Sequence, residues 1–168
     1  TSSEGWEMES PSRQILESSL YVQDLDQAVE EVFGLMMGVQ CTPQDEYPAE
    51  ESETISAVIG LAGAMSGTCV LRSGAQVALR MAEMLTGVAT SKVDEMVKDA
   101  MGEICNMVAG AWKGKQPILA SGCMLSTPTV VTGTNYRLHT QRPEFRVERC
   151  YRFETFSFGL TLICESLQ

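Results

Sequence analysis

Residues 91–115 read SKVDEMVKDAMGEICNMVAGAWKGK, and their periodicity decides how the rest of the chain is partitioned. Advancing about 100° per residue from Met96, the side chains of Val97, Met101, Ile104, Val108 and Trp112 fall within about 80° of one another. On the same wheel Asp99, Glu103, Asn106 and Gly110 lie within about 60° of one another, almost opposite that cluster. The spacing predicts a long helix with Ser91 as N-cap, Asp94 and Glu95 in its first turn, an apolar face in the core and a polar ridge in solvent. Gly102, Ala109 and Gly110 flank the ridge, although glycine inside a helix costs about 1 kcal/mol relative to alanine. Bare positions beside a polar ridge allow another backbone to come close.

On the N-terminal side of this stretch, GAQVALRMAEMLTG predicts a compact helix ending at Gly87. Before it, TISAVIGLAG and SGTCVLRS are β-prone runs separated by Gly63, Ala64 and Met65, a hairpin pattern. Their glycines are not a phosphate loop, because no G-K-[ST] follows and the next segment is another strand. The run CTPQDEYPAEESE, with two prolines and several acids, reads as an exposed loop. From Gln14 to Met37, Ile15, Leu20, Leu25, Val29, Val32, Leu35 and Met36 recur at mostly helical spacing, and Gly38 offers a stop. Residues 1–12 are polar and are expected to form a loose lead-in, which leaves 13–168 as the one expected domain.

Beyond Pro117 the pattern returns to β, in CMLSTPTVVTG, EFRVERCYRF and TFSFGLTLICES. In the last two the apolar phase switches near Glu154 and Thr155, which marks a turn or bulge. Helix, two strands, two helices, then three or more strands is a segregated order. It predicts an α+β class: two layers, with a mainly antiparallel sheet packed against helices.

Composition removes several function classes. Residues 1–56 carry 13 acids against the single base Arg13, and the remainder carries 9 acids against 11 bases. So acidic a front half opposes phosphate backbones, and no nucleic-acid partner is expected. Arg137, Arg142, Arg146, Arg149 and Arg152 lie in strand-like sequence, where they divide between two faces. No membrane association is expected either, since the longest nearly uncharged run, ISAVIGLAGAM, is too short and glycine-rich to span. The first ten residues lack the basic and apolar regions of a signal peptide, so a cytoplasmic protein is expected. Cys41, Cys69, Cys105, Cys123, Cys150 and Cys164 form no C-x-x-C pair and read as reduced core thiols. His139, the only histidine, cannot by itself make a zinc site or a Ser-His-Asp triad.

The ridge therefore holds the chemistry that the sequence offers. Glu103 and Asn106 are three positions apart, so they are not a pair of carboxylates spanning a substrate, and there is no Cys-x5-Arg loop to supply a phosphate nucleophile. Such a ridge can enter another protein's active site, with the acid pairing to a lysine and the carboxamide holding a water molecule.

DAMGEICNMVAG, followed by STPTVV with Pro128 22 positions after Asn106, closely resembles the signature of the CheC/CheX/FliY family of chemotaxis phosphatases. That signature is Asp or Ser, Glu four positions on, Asn three further, and a proline a little over twenty beyond. The resemblance runs from about Ile55 to Gly133. It implies a CheC-like fold and hydrolysis of the aspartyl phosphate of phosphorylated CheY or a related response-regulator receiver domain. Glu103 and Asn106 are then the catalytic pair, Glu103 contacting the receiver's lysine and Asn106 positioning water, with Asp99 and Pro128 in supporting positions. Magnesium is expected on the receiver, with no metal and no cofactor of the chain's own. On the first helix Asp26 and Glu30 repeat the four-residue spacing, but Phe33 stands where the asparagine belongs. A single intact motif resembles the CheX branch, which implies a homodimer joined through its sheets, and RCYRF and FSFGLTLIC are apolar enough to be hazardous on a bare edge. Two rival readings are a non-catalytic module that binds a phosphorylated receiver and a structural dimerisation domain.

Overall fold

A computed structural model describes residues 11–46, 53–134, 136, 139 and 142–167. Helix α1 (Pro11–Val32) continues into a π-helical turn, Phe33–Met37, which Gly38 ends in the left-handed region at φ 67°. Three further helices follow, α2 (Ala75–Thr86), α3 (Glu95–Lys113) and α4 (Pro117–Gly122). The strands are β1 (Thr42–Gln44), β2 (Thr54–Gly63), β3 (Met65–Gly74), β4 (Cys123–Leu125), β5 (Thr129–Gly133), β6 (Phe145–Phe153) and β7 (Phe156–Leu167). They form one antiparallel sheet in the order β1-β6-β7-β3-β2, with β4 and β5 both lying along the far side of β2. The class is α+β, as the segregated order predicts.

The sheet has the same plan from either end. A long helix is followed by an edge strand, β1 after α1 and β4–β5 after α3. The edge strand lies beside a hairpin, β6–β7 or β2–β3, and the two hairpins meet through β7 and β3. α1 and α3 are thus counterparts in a repeated helix, edge strand and hairpin.

All helices for which core contacts are described lie on one face of the sheet. Alternate residues on that face are buried: Ile55, Ala57, Ile59 and Leu61 of β2, Cys69 and Leu71 of β3, Tyr151 and Phe153 of β6, and Phe158, Leu160 and Leu162 of β7. Against them pack Leu25, Val29, Val32 and Phe33, then Val77, Ala78 and Met81, then the apolar face of α3. The opposite positions carry exposed Arg146, Glu148 and Arg152 on β6, whereas Val70 and Ile163 there are 2% and 1% exposed, so this face is polar and solvated only in part. Trp112, 1% exposed, locks α3 to α1 by donating from Nε1 to the Tyr21 carbonyl at 3.2 Å.

Four local expectations need correction. The run 41–53 is not all loop, because Thr42, Pro43 and Gln44 pair with Arg152, Tyr151 and Cys150 as an edge strand. An edge tolerates Pro43, whose missing N–H costs no ladder bond when it faces outward. Helix α3 is capped by Asp94, not Ser91: the Asp94 carboxylate accepts from the Val97 N–H at 3.0 Å, and Ser91 lies in the preceding turn. Between α3 and the next strand stands the six-residue α4, with Pro117 in its first turn, tied to α3 by Lys113 Nζ donating to the Ala120 and Cys123 carbonyls. Finally, β7 is internal to the sheet and β6 is partly flanked by β1, so the apolar C-terminal strands are no bare edge. The expected turn at Glu154–Thr155 joins β6 to β7, with Glu154 at φ 51°. The expected lead-in at 1–12 falls almost entirely outside the described residues, and Pro11 and Ser12 open α1.

Candidate functional site

Helix α3 presents its two faces as the wheel requires. Val97, Met101, Ile104 and Val108 are wholly buried, whereas Asp99, Glu103 and Asn106 are exposed and Gly110 is half-buried. Burying four such side chains contributes on the order of 1.5–3 kcal/mol each, which fixes the rotation of the helix and so keeps the ridge outside. Glu103 and Asn106 stand one turn apart, adjacent on the surface, with Asp99 one turn before Glu103. Among the described residues neither Glu103 nor Asn106 takes a hydrogen-bond or ion-pair partner. The nearby Lys98 pairs with Glu95 at 3.3 Å. An unengaged acid and an unengaged carboxamide side by side can hold an incoming cation and a water molecule together.

The backbone that closes on the small residues of α3 is the chain's own edge strand. From Leu61 to Val58, β2 advances three positions, while its neighbour advances four, from Leu125 to Thr129. The extra residue makes a bulge at Ser126, Thr127 and Pro128. A Cβ placed on Gly102 would lie 3.0 Å from Pro128 Cβ and 3.4 Å from its Cγ, and one on Gly110 would lie 4.0 Å from Leu125 Cδ1. Ser126 anchors the bulge to β2: its N–H donates to the Gly60 carbonyl at 2.9 Å, and its Oγ accepts from the Gly60 N–H at 2.8 Å. The spacing from Asn106 to Pro128 thus brings the proline back beside the residue that precedes Glu103. The seating of Pro128 on Gly102 and the pairing of Ser126 with Gly60 escape sequence reasoning, and the only signal for them is the conjunction of a mid-helix glycine with S-T-P inside a β-run.

The counterpart on α1 has been put to another use. Asp26 accepts two hydrogen bonds from the Arg149 guanidinium, at 3.1 and 2.8 Å, and one from the Tyr151 hydroxyl at 2.7 Å. Burial, followed by the hydrogen bond to Asp26, holds the Tyr151 phenol well above its usual pKa. Glu30 is exposed, but Phe33 is wholly buried and stacks on Phe158 with centroids 4.9 Å apart. These positions join α1 to β6 and β7 and offer no second ridge.

Among the described residues no group of three or more His, Cys, Asp or Glu side chains converges as a metal site requires, and no helix is long and apolar enough to cross a membrane. All six cysteines are buried and unpaired.

The family model described as "Chemotaxis phosphatase CheX" matches residues 55–148. A curated relative, "CheY-P phosphatase CheX" of Thermotoga maritima, is 29% identical over 90 residues, covering 53% of this chain and 58% of that protein. The match therefore spans little more than half of the relative's length. Among solved structures, the chemotaxis protein CheX from Vibrio vulnificus superposes with TM-score 0.73 at 22% identity, over 86% of this chain and 96% of that one. CheX from Desulfovibrio desulfuricans gives 0.71 at 21%, over 87% and 99%. A chain of the CheX-CheY-BeF3-Mg2+ complex from Borrelia burgdorferi gives 0.68 at 17%, over 87% and 98%. At these identities the likeness is one of fold.

Proposed function

Because the chain belongs to the CheX family of chemotaxis phosphatases, we propose that it hydrolyses the aspartyl phosphate of phosphorylated CheY or a related receiver domain. The observation that carries the reading is the exposed, unengaged pair Glu103 and Asn106 on a helix whose opposite face is buried. The Asn106 carboxamide offers a carbonyl acceptor and two N–H donors, so it can hold a water in line with the phosphoryl group. The water oxygen bonds to phosphorus as the bond from phosphorus to the aspartyl oxygen breaks. The receiver's carboxylate leaves, and the water proton passes to the released phosphate or to solvent. Glu103 pairs with a lysine of the receiver and sets the approach of α3, with Asp99 extending the acidic ridge. The receiver would hold magnesium, which would supply neutralising charge at the phosphoryl oxygens; a solved complex of a related fold with CheY contains BeF3 and Mg2+ and supports this reading.

In this reading 13–168 is the phosphatase domain, working in the cytoplasm with its receiver. A homodimer accompanies it, joined through the outer side of β5, where Val131 is 41% exposed and no strand pairs among the described residues. Scattering mass should show two chains at micromolar concentration, and a strict monomer would overturn that part. The decisive experiment for the activity is the decay of phosphorylated receiver domains from the same organism with and without this protein. At least one receiver should lose phosphate faster; unchanged decay of all of them overturns the proposal.

A further inference from the structure

We infer that Gly102, Pro128 and Ser126 are positioning residues for the ridge, setting the height of α3 above the sheet edge and through it the placement of Glu103 and Asn106. This rests on the phosphatase reading of that ridge. Its structural basis is a continuous line of contact from the sheet to the pair. β2 holds the bulge through the reciprocal pairing of Gly60 with Ser126. The bulge pushes Pro128 out of the strand's register toward α3, and Pro128 meets bare backbone at Gly102. Gly102 directly precedes Glu103 and lies one turn before Asn106 in α3.

The fit is tighter than a methyl group ordinarily allows. Carbon atoms rest about 3.5–4.0 Å apart at their optimum, and a Cβ at Gly102 would be 3.0 Å from Pro128 Cβ, with Val130 Cγ2 behind it at 3.8 Å. Only the Pro128 contact is tight, and it belongs to a pyrrolidine ring and not to the end of a flexible chain, so helix α3 and the bulge must move apart by a few tenths of an ångström. Gly102 is wholly within the helix and has a negative φ, so its glycine is required by this approach and not by backbone conformation. That is why the helix carries a residue of poor helical propensity at this position.

The geometry also explains the long interval between Asn106 and Pro128. The chain leaves α3, turns through α4 and returns antiparallel to β2, so the proline comes to rest against the helix it left. The bulge is the device that lets one residue of the edge strand protrude at that point. Ser126 is exposed and hydrogen-bonds to neither Glu103 nor Asn106, but it is the atom-level tie between bulge and sheet.

The test compares Gly102→Ala, Pro128→Gly, the double variant and Ser126→Ala with the unaltered protein, using a phosphorylated receiver in excess. Gly102→Ala should lower kcat about tenfold or more, a displacement of part of an ångström being enough for such a loss, while KM stays within twofold. Pro128→Gly in the same chain removes the atom that the methyl meets and should restore most of the lost kcat. Ser126→Ala should lower kcat by a smaller factor, also without a change in KM, and it carries the test should Gly102→Ala fail to fold. A second readout needs no activity: the Asn106 side-chain amide and Glu103 backbone NMR resonances should shift in Gly102→Ala and return in the double variant. If the unaltered protein accelerates no receiver's decay, the phosphatase reading falls, and the resonances still decide the positioning. Unchanged kcat in both Gly102→Ala and Ser126→Ala, a loss confined to KM, or a kcat loss that Pro128→Gly does not relieve overturns the inference.

Discussion

Asn106 and Glu103 occupy neighbouring turns of one helix face, and the proposed chemistry asks different things of them. A carboxamide that orients water acts only when the phosphoryl group is being transferred. Asn106→Ala should therefore lower kcat by on the order of 10², as does loss of one transition-state hydrogen-bonding group, and leave receiver affinity nearly unchanged. In the same proposal Glu103→Lys sets a like charge against the receiver's lysine, which costs several kcal/mol, and should abolish complex formation. Both side chains are exposed and unengaged among the described residues, so each substitution should shift stability by less than about 0.5 kcal/mol. Stopped-flow decay of the phosphorylated receiver, titration with the beryllofluoride form and circular dichroism of each variant separate the two roles. An Asn106→Ala protein with full activity would falsify the mechanism.

α1 and α3 are counterparts in the fold, and only α3 carries the full Asp, Glu, Asn spacing of the proposed site. Phe33→Asn would complete the Asp26, Glu30, Asn spacing on α1, yet it should add no activity. Asp26 is already occupied by Arg149 and Tyr151, and position 33 faces Phe153 and Phe158 in the core. Removing a buried phenyl costs about 3–5 kcal/mol before the buried amide is counted, so the urea midpoint should fall steeply with no gain in receiver dephosphorylation. The faces of α3 were legible in the sequence because nineteen residues hold five helical turns of consistent pattern. Three-residue β1 and six-residue α4 span too little of a period to declare themselves, and Ser91 and Asp94 are equally good caps until the core decides which turn is buried. Strand order was illegible for a different reason. The apolar character of β6 and β7 says that they are covered, and only pairing with β3 and β1, distant in sequence, says by what. The pair Glu103 and Asn106 and the distant Pro128 were legible as a pattern, but the seat that Gly102 offers the proline depends on a bulge set by β2's register.

At the scale of the whole molecule, the buried thiols of Cys41, Cys150 and Cys164 and the buried phenol of Tyr151 make stability sensitive to alkali. Burial is the largest cause in each case: it pushes the Cys41 thiol up to about 12 and the Cys164 thiol up to about 11, and it raises Cys150 and Tyr151 as well. In the unfolded chain the same thiols ionise near 9.0 and the phenol near 10.0. These groups keep their protons longer in the folded state, so their contribution is fully present below about pH 9 and is lost as pH rises through the folded values. Between those limits the unfolded chain sheds protons that the native protein holds, and stability falls with pH by a total on the order of a few kcal/mol. Net charge works in the same direction, since a chain that already carries -10 at pH 7 gains further negative charge and self-repulsion in alkali. Urea midpoints measured with a reductant present should therefore be level from pH 7.5 to about pH 8.5 and then decline steadily toward pH 11. In native protein at pH 8 a thiol-reactive probe should label the cysteines only slowly, and all six rapidly once urea is added, because the folded protein buries them out of the probe's reach. A flat midpoint across pH 8–11, or fast labelling of several cysteines in the folded protein, would show that these groups do not lie in the core as described.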